Sequence, residues 1–472
     1  MMSYSSIVRV ASACIAALAL FVSPALGDPK PLSKEEQAKV DAAIDKGVAF
    51  LKKAQTKNGD FGWKFVDDER WIVGQCALPA YALLESGVPA ADPSVQNAAE
   101  FLRRPVLLTD STYDLSLAIL FFDRLGDPKD ENLIKMCALR LIAGQHRTGG
   151  WSYKCPTLNG KNAQDLLKNM NLLAKRMNRG STTRDAALGG IEIPSALQII
   201  TVFQRRNQLA WHEPGKTPDD MGREKNSIIL DGRSDNSNTQ LALLGLWAAN
   251  RHGIDLLPVF ELSVERFERF HVFPNGYWMY NLDFELSAAS RKSMTCSGLI
   301  ALAIGRGLKL RTPGAVDDEK KDVHVLRGFA ALSRRIGKPL SDMKHQHVLE
   351  DHYFLWSLER VAMLYNMQTI ADKDWYKWGA EILVTNQFKY GWWPAPTISK
   401  RAIPRDHGDY KPLINSSFAL LFLKRSHPMI ELTPKLPLTS EKLNEGIARL
   451  RSRDTYPNKI PVSVAPSKDA SP

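Results

Sequence analysis

The side chains with the means to do chemistry in this sequence stand where its apolar runs begin. Asp114 precedes Leu115, Asp235 leads Asn236 and Asn238 into a run from Thr239, and Thr295 opens another; Asp351 and His352 precede Tyr353, and Asn415 and Ser416 precede Phe418. A carboxyl group at such a place can serve as a general acid once burial lifts its pKa. That makes Asp235, Asp114 and Asp351 the candidate catalytic residues, with Asn236, Asn238, Thr295 and His352 as candidate ligand-binding residues. The same residue types also cap helices, because their side-chain oxygens accept N–H groups that a helix start leaves unpaired. His345, His347 and His352, beside Glu350 and Asp351, place three imidazoles in a short stretch. Such a cluster either binds a transition metal or is a set of loop histidines in solvent; nothing in the spacing fixes convergence, and no metal or other cofactor is assigned. Asp67, Asp68 and Glu69 read as a solvated loop, and the sequence has neither a Gly-x-Ser-x-Gly elbow nor a phosphate-binding Gly-x-x-x-x-Gly-Lys-Ser/Thr loop.

The elements that must position these residues are marked by a recurring turn. Gln55 is followed by Gly59, Phe61 and Trp63, Gln145 by Gly149 and Trp151, and Gln387 by Gly391, Trp392 and Trp393; Gly276 and Trp278 repeat the pattern without the glutamine. Glycine ends a helix in a left-handed conformation, the aromatic ring packs across the turn, and glutamine can bond freed backbone groups. An amphipathic helix precedes each turn, as in the spacing of Val40, Ile44, Val48 and Leu51, and again over 132–145, 259–270 and 375–387. More apolar helices follow, over 72–84, 115–125, 239–247, 295–303, 353–364 and 416–423. Units of this kind cannot bury their own faces singly, so they must stack into a solenoid or close into a ring.

Turns of the form Gln-x-x-x-Gly-x-Trp joining outer to inner helices resemble the prenyltransferase and squalene oxidase repeat, shared by squalene cyclases and protein prenyltransferase β-subunits. Gly149–Pro156, Asp235–Trp247, Met294–Leu299 and Tyr353–Val361 are similar, more closely, to a group of exported bacterial proteins carrying this repeat. The resemblance covers roughly residues 40–426. It implies an all-α fold, an α/α toroid of six or seven hairpins. Cyclases of that family protonate substrate from an Asp-x-Asp-Asp run; here Asp235-Asn236-Ser237-Asn238 stands at the comparable helix start, and amides cannot donate a proton in that way. The transferases hold zinc through aspartate, cysteine and histidine; Asp351-His352-Tyr353 resembles the histidine position, but no Asp-x-Cys accompanies it. The expectation is therefore a toroid that binds an apolar or polymeric envelope ligand, or a protein partner, without catalysis. An isoprenoid-acting enzyme using a cavity aspartate is the alternative. A carbohydrate-active enzyme is the third reading, with Trp151, Trp278 and Trp392 as sugar platforms.

A length of 472 residues suits one large helical domain or two to three ordinary ones, and a composition 44% hydrophobic and 24% charged indicates neither a disordered chain nor a multi-span membrane protein. Residues 1–27 read as a signal peptide, with Arg9 before the apolar run Val10–Val22 and small residues at Ala25 and Gly27, so cleavage is expected before Asp28. Residues 28–456 form the expected toroid, and 457–472 a disordered tail. The formal charge of +11, spread along the chain rather than gathered in one tract, reads either as a solvated cationic surface or as one that favours acidic envelope partners over nucleic acid outside the cytoplasm. Cys76, Cys137, Cys155 and Cys296 would remain after cleavage, with disulfides permitted but the apolar settings of Cys76 and Cys137 favouring buried thiols. The stretches 157–190, with one short helix over 163–176, and 208–234 fall outside the rhythm; the second suits a lid over the ring's mouth.

Overall fold

The fold is described by a computed structural model covering residues 31–61, 72–146, 148–177, 234–272, 275–281, 290–309, 323–337, 351–394, 411–425 and 440–453. The proposed signal peptide, the acidic run 67–69, His345, His347 and Glu350, the lid segment up to residue 233 and the tail lie outside these residues. The described elements are helical: α1 (Lys34–Ala54), α2 (Ile72–Glu85), α3 (Pro93–Leu102), α4 (Thr112–Leu125), α5 (Glu131–Gly144), α6 (Gly160–Met177) and α7 (Asn236–Ala249) come first. They are followed by α8 (Leu257–Arg269), α9 (Arg291–Lys309), α10 (Val323–Ser333), α11 (His352–Leu364), α12 (Trp375–Asn386), α13 (Lys411–Lys424) and α14 (Ser440–Arg453).

Six of these helices form a closed inner ring. Helix α2 packs on α4, α4 on α7, α7 on α9, α9 on α11, α11 on α13, and α13 returns to α2. The inner helices are apolar nearly all round, as a helix enclosed on every side must be; every residue of α7 is buried. The outer helices α1, α3, α5, α8, α10 and α12 each present one stripe to the ring, as α1 does with Val40, Ala43, Ile44, Gly47 and Leu51. The α/α toroid is thus present, built of six hairpins among the described residues. Helix α6 packs on α5 and α8 without adding a hairpin, and α14, which the sequence patterns did not signal, packs on α10.

The recurring turns carry the joints of this ring. Gln145 Nε2 donates to Gly149 O within its own turn and to Val259 O on the next outer helix, α8. Gln55 bridges Gly59 O and Ser94 O of α3 in the same way, and Gln387 bridges Gly391 O and Ala43 O of α1, tying the last outer helix to the first. Three residues beyond each accepting carbonyl, the glycine presses on the backbone: a Cβ on Gly149 (φ +80°) would collide with Leu262 O, and one on Gly391 (φ +93°) with Lys46 O. The aromatic completes the joint, since Trp151, Trp278 and Trp393 donate their indole N–H to Leu141, Phe267 and Leu383 at the end of the preceding outer helix. In the third of these turns, the one built around Gly276, His271 stands where the others have glutamine. It stacks on Trp278 and meets His324 Nδ1 at 3.0 Å.

The same positive φ with open space around it is found at Gly253 (φ +82°). Gly253→Ala is therefore expected to cost about 1 kcal/mol, the conformational penalty alone. Gly149→Ala adds a clash with immovable backbone and is expected to cost at least about 3 kcal/mol. Urea denaturation of both variants checks the difference; equal costs would mean that the glycine's approach to α8 is not a structural requirement.

Candidate functional site

The turns place the amino ends of all inner helices at one end of the ring, where a cavity of about 380 Å³ opens. Five of the six inner helices contribute to its lining, mostly through residues one helical turn apart: Gln75 and Leu78, Tyr113 and Leu117, Ser237 and Leu241, Ile414 and Phe418. Tyr353 and Asp114 complete the polar part of the wall. The tyrosines are linked across the ring, Tyr113 Oη donating to Ser237 Oγ at 2.6 Å and Ser237 Oγ to Tyr353 Oη at 3.2 Å. Further along the inner helices, Ser297 of α9 donates to Gln240 Oε1 and Gln240 Nε2 to Ser357, both at 2.7 Å.

Asp114 is the only one of the three candidate acids that lines this cavity. Its own helix is capped by Ser111, while Asp114 Oδ1 accepts the N–H of Gly74 at 2.9 Å, in the first turn of α2, and Oδ2 accepts the Thr109 hydroxyl at 2.8 Å. It is therefore a cap lent by one inner helix to its neighbour. Burial pushes its carboxyl up to about 7, against the pull of those hydrogen bonds.

Asp235 caps α7. Oδ1 accepts from Ser237 N and Asn238 N, and Oδ2 from Asn238 Nδ2 at 2.7 Å. Burial raises its carboxyl to about 6, while these bonds and the charge of Arg266 lower it. Arg266, itself 2% exposed, reaches the same corner through Asn236 Oδ1 at 3.0 Å. Asn236 Nδ2 in turn donates to Met279 O. Asp351 caps α11 by accepting from Tyr353 N. Thr295 bonds back to Arg291 O within α9, and Ser416 Oγ accepts from Trp393 N. These side chains hold helix ends together.

His352 corrects the reading of solvent-exposed loop histidines: it is 2% exposed in the first turn of α11, and burial holds its imidazole down to about 3, so it is neutral. Among the described residues no group of three or more His, Cys, Asp or Glu side chains could hold a metal ion. All four described cysteines are free and buried, and burial pushes the Cys137 and Cys155 thiols up to about 12. Trp151 and Trp278 are fully buried, which removes them as sugar platforms; Trp392 is half-buried and stacked on Phe388, whereas Trp393 fills the repeat position. No described helix is long and apolar enough to cross a membrane.

Sequence reasoning missed Gln75, Tyr113, Ser237, Tyr353 and Phe418, which form the wall. The available signal was positional, an i, i+3 or i, i+4 pair at the start of each inner helix.

No family model matches the sequence, and no curated protein matches it. Among solved structures the chain is similar to a single-residue variant of the type II terpene cyclase MstE from Scytonema in complex with geranylgeranyl dihydroxybenzoate, with 13% identity and a TM-score of 0.47 over 84% of this chain and 100% of that one. Another variant of the same enzyme, in complex with merosterolic acid A, matches at 12% identity and a TM-score of 0.37 over the same shares. Likenesses at this level carry no statement about activity.

Because the Asp114 carboxyl lies near 7 in the folded chain and near an ordinary value of about 4 when unfolded, folding favours its protonated form. That contribution is full below about pH 4 and is lost as pH rises through about 7. Asp114→Asn removes it. The melting temperature of the variant relative to the parent is expected to rise between pH 4 and 7 and to level off above; a pH-independent difference would contradict the burial of an ionisable group here.

Proposed function

We propose that the protein is an exported ring that binds an apolar ligand in its central cavity and performs no chemistry on it. The observation that carries this reading is the engagement of the three candidate acids: Asp114, Asp235 and Asp351 each accept backbone N–H groups at helix starts. A carboxyl group occupied in this way is held as an acceptor and is poorly placed to hand a proton to an alkene. Beside Asp114, Gln75, Tyr113, Ser237 and Tyr353, the described cavity wall holds Leu78, Leu117, Leu241, Ile414 and Phe418, an apolar part that suits an apolar body. Export is supported by the leader-like residues 1–27, and a basic surface suits the acidic envelope beyond the membrane.

One observation favours a second reading. Asp114 faces the cavity with its carboxyl near 7, so a protonated fraction exists at neutral pH. In an isoprenoid-acting enzyme Asp114 would be the acid, in place of the Asp235 region that the family resemblance points to.

Titration with the apolar fluorophore N-phenyl-1-naphthylamine tests the binding reading. Saturable binding at one site per chain is expected, lost when Leu241→Trp or Leu117→Phe fills the cavity and retained in Asp351→Asn. Incubation with linear polyprenyl substrates separates the two readings: no product supports binding alone, while turnover abolished by Asp114→Asn and kept in Asp351→Asn would establish the enzyme.

A further inference from the structure

Two hydrogen-bond donors in the cavity wall have no acceptor among the described residues. Gln75 is half-buried in the first turn of α2 and lines the cavity, while its Oε1 is sealed from solvent; the amide atom it offers the cavity is therefore Nε2. Tyr353 Oη ends the chain Tyr113→Ser237→Tyr353, in which each hydroxyl donates to the next, so its own proton has no acceptor within that chain.

The carboxyl in the same wall does not serve them, because Asp114 Oδ1 is taken by the N–H of Gly74 and Oδ2 by the hydroxyl of Thr109. When an apolar body fills the cavity and displaces its water, donors left unmatched cost free energy, and a ligand that accepts from them recovers it. Asp114, once ionised, also opposes a second carboxylate placed beside it.

Resting on the reading of this cavity as a binding site, we infer that the polar part of its ligand is a carbonyl group, as in a ketone, ester or quinone, which accepts from Gln75 Nε2 and Tyr353 Oη. A carbonyl oxygen has two lone pairs and no proton of its own to place. The aliphatic body lies along Leu78, Leu117, Leu241 and Phe418. An alcohol would bring a further donor to these two, and an alkene of the same shape would leave both unmatched.

Infrared spectroscopy of 2-decanone, labelled with carbon-13 at its carbonyl and bound to the unaltered full chain, reads this out without any variant having to fold. The carbonyl stretch is expected below its position in hexane, as hydrogen bonding to the oxygen requires, and a band at the hexane position overturns the inference. Competition against N-phenyl-1-naphthylamine then compares 2-decanone with its isostere 2-methyl-1-decene, with 2-decanol and with decanoate. Gln75→Leu and Tyr353→Phe are each expected to lower the affinity of the ketone relative to the alkene roughly three- to tenfold, and to move the carbonyl band up. Ratios unchanged in both variants overturn the inference, as does tighter competition by 2-decanol or decanoate than by 2-decanone. If the ketone does not displace a fluorophore that does bind, the inference fails while the cavity reading stands. If the fluorophore itself does not bind, the cavity reading fails first.

Discussion

Every hairpin in this chain leaves two sets of unpaired backbone groups at the same end of the ring: the last carbonyls of the outer helix and the first N–H groups of the inner one. Buried as they are, both must be met. The carbonyls are met by tryptophan indoles, as Trp151 meets Leu141 O and Trp393 meets Leu383 O. The N–H groups are met by Ser111, Asp235 and Asp351 at their own helices and by Asp114 across to Gly74. The glutamine of the turn then spends its amide on the neighbouring hairpin, so that satisfying local backbone groups also fixes where the next outer helix lies. Ring closure follows from repeating that joint until Gln387 reaches Ala43.

The same constraint shapes the cavity. Polar side chains gather at the mouth of the ring because helix starts need them, and most of their capacity is consumed there. What faces the interior is chiefly the residue one turn further on, which is apolar: Leu78, Leu117, Leu241, Phe418. Asp235 shows the cost of the arrangement, with its carboxyl lifted to about 6 by burial while its oxygens stay fully engaged by Ser237 and Asn238. The buried Arg266 behind Asn236 secures that corner.

The ring was legible in the sequence because its joints are made by residues with few substitutes. A glycine against a backbone carbonyl, a tryptophan with one indole N–H and a glutamine amide reaching two carbonyls leave a fixed spacing, and the outer and inner helices differ in their apolar periodicity. The extent of α7 was less legible: it begins three residues before its apolar run, at Asn236, because Asp235 caps it from outside the run. The site was legible only as a set of helix starts. Whether Asp114 caps its own helix or its neighbour depends on the angle between α4 and α2, which spacing does not encode. Tyr353 and Gln75 carried no motif, and they become neighbours in one wall only once the whole ring has closed. His352 misled because an imidazole beside charged residues reads as solvated, whereas it is buried in the first turn of α11.

The central claim is that the aspartates at the mouth are structural acceptors around a cavity that holds an unreacted ligand. Native mass spectrometry of the protein purified from the cells that make it, in parallel with Asp114→Asn, tests this most directly. The account predicts that both proteins retain the same apolar molecule, at one per chain. A rearranged product on the unaltered protein, with its unrearranged precursor on the variant, would contradict it and make Asp114 the acid of an enzyme.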